Sequence, residues 1–180
     1  MKIAYQGVAG SYSESCAKYN YPKCETIPCK TFDECFEIAS ENNDIKTIIP
    51  ESNKTTGNIG IEYLIFKFRL NIYAEHFFKI SHNLLGLNES KISDIKDVYS
   101  HAQALSQSSK FIKKNKFAEH VRADTAGSAK FVSEIKDKTK AAISSSLSAE
   151  IYNMKILAKN IQDNKENFTR FLLMGKDISQ

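Results

Sequence analysis

Three adjacent side chains near the carboxyl terminus have types that could do chemistry. Thr169, Arg170 and Phe171 follow Asn167 in the string NFTRF. A threonine hydroxyl is a poor acid, so Thr169 would act as an oriented hydrogen-bond donor or as a relay within a network. The Arg170 guanidinium is a forked cation that suits a carboxylate, and Phe171 offers an apolar wall. A salt bridge that joins two lobes of the chain for Arg170, and core packing for Phe171, are the structural alternatives.

Further polar residues gather at predicted helix starts, where free N–H groups favour anions. Ser100, the predicted N-cap of one helix, is seven residues from Gln107, which places both on one face, and Gln103 lies one turn from Ser100. Thr125 and Ser13 stand at two other helix starts. A well-capped helix with a polar surface is the alternative explanation for these residues.

Strands and helices must alternate along the chain to position these side chains. We expect helices from about Ser13, from Thr31 in a capping box, from Ser100, from Asp124 or Thr125, and over 147–152. The predicted strands are Lys2–Gln6, 47–49 closed by Pro50, 70–74, 77–86, 96–99, 141–146 and 156–158. This alternation predicts an α/β fold with mostly parallel sheets.

The composition is that of an ordinary globular protein. Of 180 residues, 42% are apolar and 26% charged, with 25 basic against 21 acidic side chains. No apolar run is long enough to span a membrane and no signal-peptide core follows Met1, so we expect a cytoplasmic protein without membrane contact. The basic stretch 108–117 lies in no recognition motif, which argues for a solvated helix face and against nucleic-acid binding.

The cysteines predict neither a metal site nor a disulfide framework. Their gaps of 8, 5 and 6 residues do not match the paired spacing of zinc ligands, and the chain is larger than disulfide-stapled scaffolds. We therefore expect ordinary reduced thiols at Cys16, Cys24, Cys29 and Cys35.

Six motifs occur in one order over nearly the whole chain. They are YQGVAGSYSESCA, PCKTFDECF, VYSHAQALSQS, DTAGSAK, AAISSSLSAEIYNMKILAKNIQD and NFTRF. In this order and spacing the set resembles the catalytic domain of prephenate dehydratases and of the closely related arogenate dehydratases. Each motif alone is weak, whereas their order together with TRF makes a chance match improbable.

The resemblance implies two α/β lobes like a type-II periplasmic binding protein, with the active site in the cleft between them. Lobe 1 would contain residues 1–75 and 164–180, and lobe 2 residues 76–163. The implied reaction converts prephenate to phenylpyruvate with loss of water and carbon dioxide, without cofactor or metal. Arogenate dehydration, or ligand binding without turnover, are the alternatives.

The resemblance also implies properties of the assembly. A homodimer is typical of the family. Many members carry a C-terminal ACT domain that binds phenylalanine, and the chain ends about ten residues after TRF. We therefore expect no feedback control through an ACT domain of its own.

The resemblance assigns roles to single residues. The Thr169 hydroxyl would assist departure of the ring hydroxyl and is the expected catalytic group, while Arg170 and Phe171 would contact the dianionic substrate. The other substrate-binding residues implied by the matching motifs are Asn53, Ser100, Gln103, Gln107, Thr125 and Ser13.

One loop departs from the family pattern. Where the family has P-I-E-N-S, this chain has Pro50, then Glu51, Ser52, Asn53 and Lys54. Ser52 stands in the place of the glutamate, and Glu51 is out of register by one residue. A carboxylate implicated in the chemistry is therefore expected to be lost or moved, whereas the TRF element is intact.

Overall fold

The computed structural model describes residues 1–176, which contain eleven strands and seven α-helices. The strands are β1 Lys2–Gln6, β2 Glu25–Cys29, β3 Ile45–Asn53, β4 Gly57–Asn58, β5 Asn71–Lys79, β6 Asn83–Gly86, β7 Asp97–Ser100, β8 Ala118–Val121, β9 Lys140–Ser144, β10 Lys155–Ala158 and β11 Phe168–Gly175. The helices are α1 Tyr12–Asn20, α2 Phe32–Glu41, α3 Glu62–Phe68, α4 Ala102–Gln107, α5 Ser109–Asn115, α6 Thr125–Ile135 and α7 Ser146–Ile151.

The described chain divides into two compact α/β units, each with its own sheet. Unit 1 contains Met1–Val8, Tyr12–Lys79 and the described residues from Asn167 onward. Unit 2 contains Ala9–Ser11 and Ile80–Glu166. Positions 177–180, which the sequence analysis assigns to lobe 1, lie outside the described residues. The fold class is thus α/β with two sheets, as expected.

The sheet of unit 1 has the strand order β2-β1-β3-β11-β5, and β4 pairs with β3. β1 pairs in parallel with β2 and with β3. β11 enters antiparallel between β3 and β5, although it follows them by about a hundred residues. The last described strand therefore completes the middle of this sheet.

The sheet of unit 2 has the order β10-β6-β9-β7-β8. β7 pairs in parallel with β8 and β9, while β6 pairs antiparallel with β9 and β10. Short strands and helices alternate here, and the helices α4, α5 and α6 follow or precede the parallel strands as crossovers.

The sequence predicts mostly parallel sheets, but parallel strand pairs are not the majority in the structure. Among the described pairings four are parallel and five antiparallel. The local strand and helix pattern indicates crossovers, and these do give parallel pairs. It carries no information on β6 and β11, whose partners are distant along the chain and whose direction is set by tertiary pairing.

Two predicted strand boundaries also needed correction. The strand predicted to close at Pro50 continues to Asn53, because Pro50 lies next to a bulge in the pairing with β11, where a missing N–H is tolerated. The candidates 70–74 and 77–86 prove to be β5, which runs through Phe77, and the separate strand β6. The strands β2, β4 and β8 and the helix α3 were not predicted.

The core of unit 1 lies where α2 and α3 cover one face of the sheet. Phe36 of α2, Leu64 of α3 and Ile49 of β3 are each at most 1% exposed, and Leu172 and Met174 of β11 join the same cluster. Burial of this apolar surface is the main favourable term in folding. Because β11 contributes to this cluster, the core holds in place the strand that carries Thr169.

The helices of the described residues include none that is long and apolar enough to cross a membrane. The four cysteines are free thiols, and three of them are buried. Burial raises the pKa of Cys16 to about 12, so this thiol stays protonated and behaves as a packing group.

Helix α2 begins as the sequence predicts, at an N-cap threonine. Thr31 Oγ1 accepts a hydrogen bond from Glu34 N at 3.1 Å, and the Glu34 carboxylate accepts one from Lys30 N at 2.6 Å. The first bond satisfies an N–H group that the first helical turn leaves without a partner, and the second binds the N–H group of the residue before the N-cap.

We predict that Thr31→Ala lowers the free energy of unfolding by about 1 kcal/mol, because the N-cap acceptor is lost. Urea denaturation followed by circular dichroism measures this change. Thr31→Ser keeps the acceptor and should retain most of the stability. Equal stability of the alanine variant and the unsubstituted chain would show that the cap contributes nothing.

Candidate active site

Unit 1 gathers three of the predicted site residues at one end of its sheet. β1 and β3 are parallel neighbours, so their carboxyl ends lie at the same end. Asn53 closes β3, and Thr169 lies directly opposite it at the start of β11. Ser13, 8% exposed, is the second residue of α1, which follows β1 and begins at this end.

Asn53 and Thr169 belong to a buried hydrogen-bond network. Asn53 Nδ2 donates to Thr169 Oγ1 at 2.8 Å and to Asn167 Oδ1 at 2.9 Å. Asn53 Oδ1 accepts from Thr55 N at 2.8 Å, and Thr55 Oγ1 donates to Asn167 Oδ1 at 3.2 Å. Both amide protons of Asn53 and its carbonyl are thus used, which fixes the orientation of the side chain.

This network leaves the Thr169 hydroxyl in the role of a donor. Its oxygen accepts from Asn53, and within residues 1–176 its own O–H has no acceptor. Thr169 is only 6% exposed, so bulk water competes little for that proton. An oriented, shielded donor is the arrangement that hydrogen-bond assistance to a leaving group requires.

Arg170 does not share this surface with Thr169, which corrects the expectation that both face one cleft. Successive side chains of a strand point to opposite faces of the sheet. Arg170 lies opposite Ser52 and Phe77, and its guanidinium contacts Glu75 at 2.7 Å and Glu51 at 3.3 Å. Both acidic partners belong to unit 1, as Arg170 does, so these ion pairs are not the lobe-joining salt bridge that was the alternative.

The displaced carboxylate of the altered loop is part of this ion pair. In the pairing of β3 with β11, Thr169 opposes Asn53, Arg170 opposes Ser52 and Phe171 opposes Pro50, so Glu51 is the extra residue of a β-bulge. Glu51 Oε2 accepts from Ser52 Oγ at 2.5 Å and from Arg170. The carboxylate has thus moved to the Arg170 face, where hydrogen bonding to Glu75 also raises the pKa of Arg170.

A shallow depression of about 310 Å³ lies beside Arg170. Phe77 and Phe168 give it apolar walls, and Arg170 gives it a charge that two carboxylates already share. Its other lining residues are Ser52, Asn53 and Lys54.

Phe171 is a packing residue in the structure. It is 1% exposed, and its ring meets Phe78 edge-on with centroids 6.3 Å apart. Alternation along β11 places it on the same face as Thr169, two residues away. Its ring therefore supports the strand that carries Thr169. Core packing, the structural alternative for Phe171, is its observed role.

Unit 2 gathers its predicted site residues at the carboxyl ends of β7, β8 and β9. Ser100 ends β7, Gln103 is the second residue of α4, and Thr125 is the first residue of α6. Gln103 and Thr125 are partly exposed, whereas Ser100 is completely buried. These three residues thus lie at one end of the sheet of unit 2.

Ser100 is not the N-cap that the sequence predicts. Its hydroxyl donates to Ile143 O at 2.6 Å, which ties β7 to β9. The N-cap of α4 is His101, whose Nδ1 accepts from Gln103 N at 3.3 Å. A serine whose hydroxyl is bonded inside the sheet positions the neighbouring helix start and is closed to a ligand in this conformation.

Gln107 binds a buried histidine. Its Oε1 lies 2.8 Å from Nε2 of His82, which is 3% exposed. Burial lowers the pKa of His82, and the hydrogen bond from Gln107 opposes that shift only in part. His82 is therefore neutral near pH 7 and donates Nε2–H to the glutamine.

The N-cap of α6 is Asp124, one of the two predicted residues. Its carboxylate accepts from Gly127 N at 2.5 Å. Thr125 is consequently free of the capping role, and its side chain stands in the first helical turn, where N–H groups are available to polar ligands.

Two serines of unit 2 hold the loop between β1 and α1, which contains Gly10. Ser145 Oγ and Ser148 Oγ donate to Gly10 O at 2.6 and 2.9 Å, and Tyr152 Oη donates to Ala9 O at 2.7 Å. Gly10 has φ +91°, and a Cβ there would lie 2.5 Å from Ser148 Oγ. Close packing against α7 accounts for this glycine.

Asn167 and Thr55 are the other contributors that were not selected. Asn167 stands inside NFTRF, so its type and place were visible in the sequence, but its pairing with Asn53 across 114 residues was not.

The described residues contain no group of three or more His, Cys, Asp or Glu side chains placed to hold a metal ion.

Comparison with known proteins identifies relatives along almost the entire chain. A family profile described as prephenate dehydratase matches residues 3–179. Arogenate dehydratase 2 of Petunia hybrida is 39% identical over 178 residues, which are 98% of this chain and 45% of that protein. The chain therefore spans less than half the length of this curated relative.

Solved structures show the same fold. The structure of GqqA, described as a novel type of quorum quenching acylase, superposes with a TM-score of 0.93 at 30% identity, covering 100% of this chain and 66% of that one. The prephenate dehydratase of Staphylococcus aureus gives a TM-score of 0.83 at 26% identity, covering 99% of this chain and 68% of that one.

We predict that Asn53→Ala lowers the free energy of unfolding by about 2 kcal/mol, because Asn167 and Thr169 lose a buried hydrogen-bond donor. Urea denaturation measures this change. Asn43→Ala is the matched control, since Asn43 is exposed, and it should stay within about 0.5 kcal/mol. A loss no larger than that of the control would mean that the network does not stabilise unit 1.

Proposed function

This chain belongs to the prephenate dehydratase family, and we propose that it converts prephenate to phenylpyruvate, water and carbon dioxide. The proposal rests on one observation above all: the Thr169 hydroxyl accepts from Asn53 and keeps its own proton available as a donor. Membership of the family supports a hydro-lyase of this class. No cofactor or metal is included in the proposed reaction.

The proposed reaction balances without a redox partner. The electron pair of the bond between the ring and its carboxylate moves into the ring as carbon dioxide leaves, and the ring hydroxyl is expelled from the opposite carbon. The hydroxide takes up a proton to become water. Because the ring becomes aromatic, the enzyme mainly needs to orient the substrate and to assist departure of the hydroxide.

Thr169 would supply that assistance. A hydroxyl does not ionise near neutral pH, so it stabilises the leaving oxygen through a hydrogen bond, and a positioned donor of this kind contributes roughly 10²- to 10⁴-fold. Asn53 would act as a positioning residue, because its amide occupies a lone pair of Thr169 Oγ1 and so directs the O–H away.

The two carboxylates of the substrate require different environments in the site. One must be held, and the other must lose its charge as carbon dioxide. Arg170 lies on the opposite sheet face from Thr169 and is shared by Glu51 and Glu75. For the carboxylate nearest Thr169 we therefore favour the N–H groups at the start of α1, beside Ser13.

The residues of unit 2 enter the proposal with unequal roles. Gln103 and Thr125, at two helix starts, are proposed as substrate contacts. Gln107 is proposed to act together with neutral His82. Ser100 is proposed as a positioning residue, because its hydroxyl is bound to Ile143 O.

Arogenate is the second candidate substrate. It differs by an amino group in place of the side-chain carbonyl oxygen, and the Petunia relative is named an arogenate dehydratase. Two further alternatives are ligand binding without catalysis and acylase activity, the latter described for GqqA. An assay of the purified chain distinguishes them from dehydratase activity.

A homodimer and a cytoplasmic location are part of the proposal, the latter because the thiols of the described cysteines are free.

We predict that Thr169→Ala lowers kcat by roughly 10²- to 10⁴-fold and leaves KM nearly unchanged, because the donor acts mainly on the leaving group. Phenylpyruvate absorbance in alkali gives the rate. Thr169→Ser keeps a hydroxyl and should recover much of the loss. Near-normal turnover of a folded alanine variant would remove Thr169 from its proposed role.

We predict a higher kcat/KM for prephenate than for arogenate when both are supplied to the same enzyme sample. Chromatographic detection of phenylpyruvate and of phenylalanine measures the two rates side by side. A higher kcat/KM for arogenate would support the same dehydratase reaction but would identify arogenate as the preferred substrate. If neither substrate is converted, the remaining candidate functions are ligand binding without catalysis and acylase activity.

A further inference from the structure

A second depression, of about 330 Å³, lies in unit 2 and contains none of the residues assigned a role above. Its walls come from α5, from the end of β10 and from the segment that follows β10. We propose that it binds a small ligand that carries phosphate groups. Four lysines line it, namely Lys110, Lys114, Lys159 and Lys165.

Within residues 1–176, these four ammonium groups have no carboxylate at ion-pair distance. Elsewhere, Lys18 lies 2.9 Å from Glu14 and Lys67 lies 2.8 Å from Asp33. Among the residues that the structure describes, none of the four forms such an ion pair, and Lys165 Nζ donates to the backbone oxygen of Asn160 at 2.6 Å. No direct ion pair among these residues therefore neutralises their positive charge.

The carboxylate that lines the depression is already engaged. Asp163 accepts from Ser109 Oγ at 2.9 Å and from Lys110 N at 3.2 Å, which caps the start of α5. It offsets at most one of the four charges. The wall thus has a net positive charge, concentrated by folding from two separate stretches of sequence.

Folding holds these like charges together at some cost. Lys110 and Lys114 are four residues apart on α5, and like charges at this spacing destabilise a helix. Gln162, in the same wall, is 2% exposed, and its Nε2 has no hydrogen-bond partner among the described residues. An anion that accepts hydrogen bonds would relieve the charge repulsion.

The residue types favour phosphate over carboxylate. Lysine presents a compact point charge with three donors, which suits the oxygens of a phosphate group, whereas planar carboxylates are better matched by arginine. Among the described residues that line this depression there is no arginine. Several lysines around a cavity of this size favour a ligand with more than one negative charge.

The test is a titration of the ¹⁵N-labelled full chain with inorganic pyrophosphate, followed by NMR. We expect chemical-shift changes at the amides of Lys110, Phe111 and Ile161, with an affinity that falls as sodium chloride is raised. Parallel titrations with inorganic phosphate and with ATP distinguish a bare phosphate from a nucleotide. Changes confined to the surroundings of Thr169 would overturn the proposal and would leave the proposed catalytic function untouched.

Substitutions make the test specific. The double variant Lys114→Gln with Lys159→Gln should weaken pyrophosphate binding about tenfold, since two partly screened charges are removed. Lys165 is kept because its ammonium holds Asn160. Lys113→Gln, on the same helix outside the depression, is the matched control and should change the affinity less than about twofold. Equal weakening by the control would show only a general charge effect and would refute the site.

Discussion

The hydrogen bond between Asn53 and Thr169 joins residues 116 positions apart, and the arrangement of unit 1 depends on the strand pairing that makes it. β11 lies between β3 and β5, so the threonine is held by ladders on both sides. Leu172 and Met174 of the same strand are buried in the core. The orientation of one hydroxyl is thus fixed by backbone pairing and packing, which are more rigid than a loop.

A contiguous motif does not imply a common site when it lies on a strand. Thr169 and Arg170 are neighbours in sequence, but their side chains leave opposite faces. Arg170 of β11 contacts Glu51 of β3 and Glu75 of β5, so it links three adjacent strands. These charges are partly exposed, so solvent screens each ion pair and its contribution to stability is small. The arginine therefore aligns the strands that surround the threonine more than it stabilises the unit.

The sequence predicts local structure well and pairing poorly. Capping signals at Thr31 and Asp124 locate two helix starts, and the resemblance selects Asn53 and Thr169. The capping role of Ser100 fails, because a buried hydroxyl finds the carbonyl of Ile143 on a neighbouring strand. Glu51 shows the same limit: a one-residue shift becomes a bulge only when β11 is paired beside it. Such contacts depend on partners that no local pattern contains.

The loop around Ala9 and Gly10 has a different role in the folded structure from the one that its sequence alone would suggest. Taken alone, Gly10 is compatible with a tight turn or with close approach of a ligand, whereas the structure fills that space with Ser148. Two serine hydroxyls and the hydroxyl of Tyr152 bind the carbonyls of Ala9 and Gly10. The entropy of ordering this segment is therefore lost during folding, and a ligand that contacts it meets a surface already arranged.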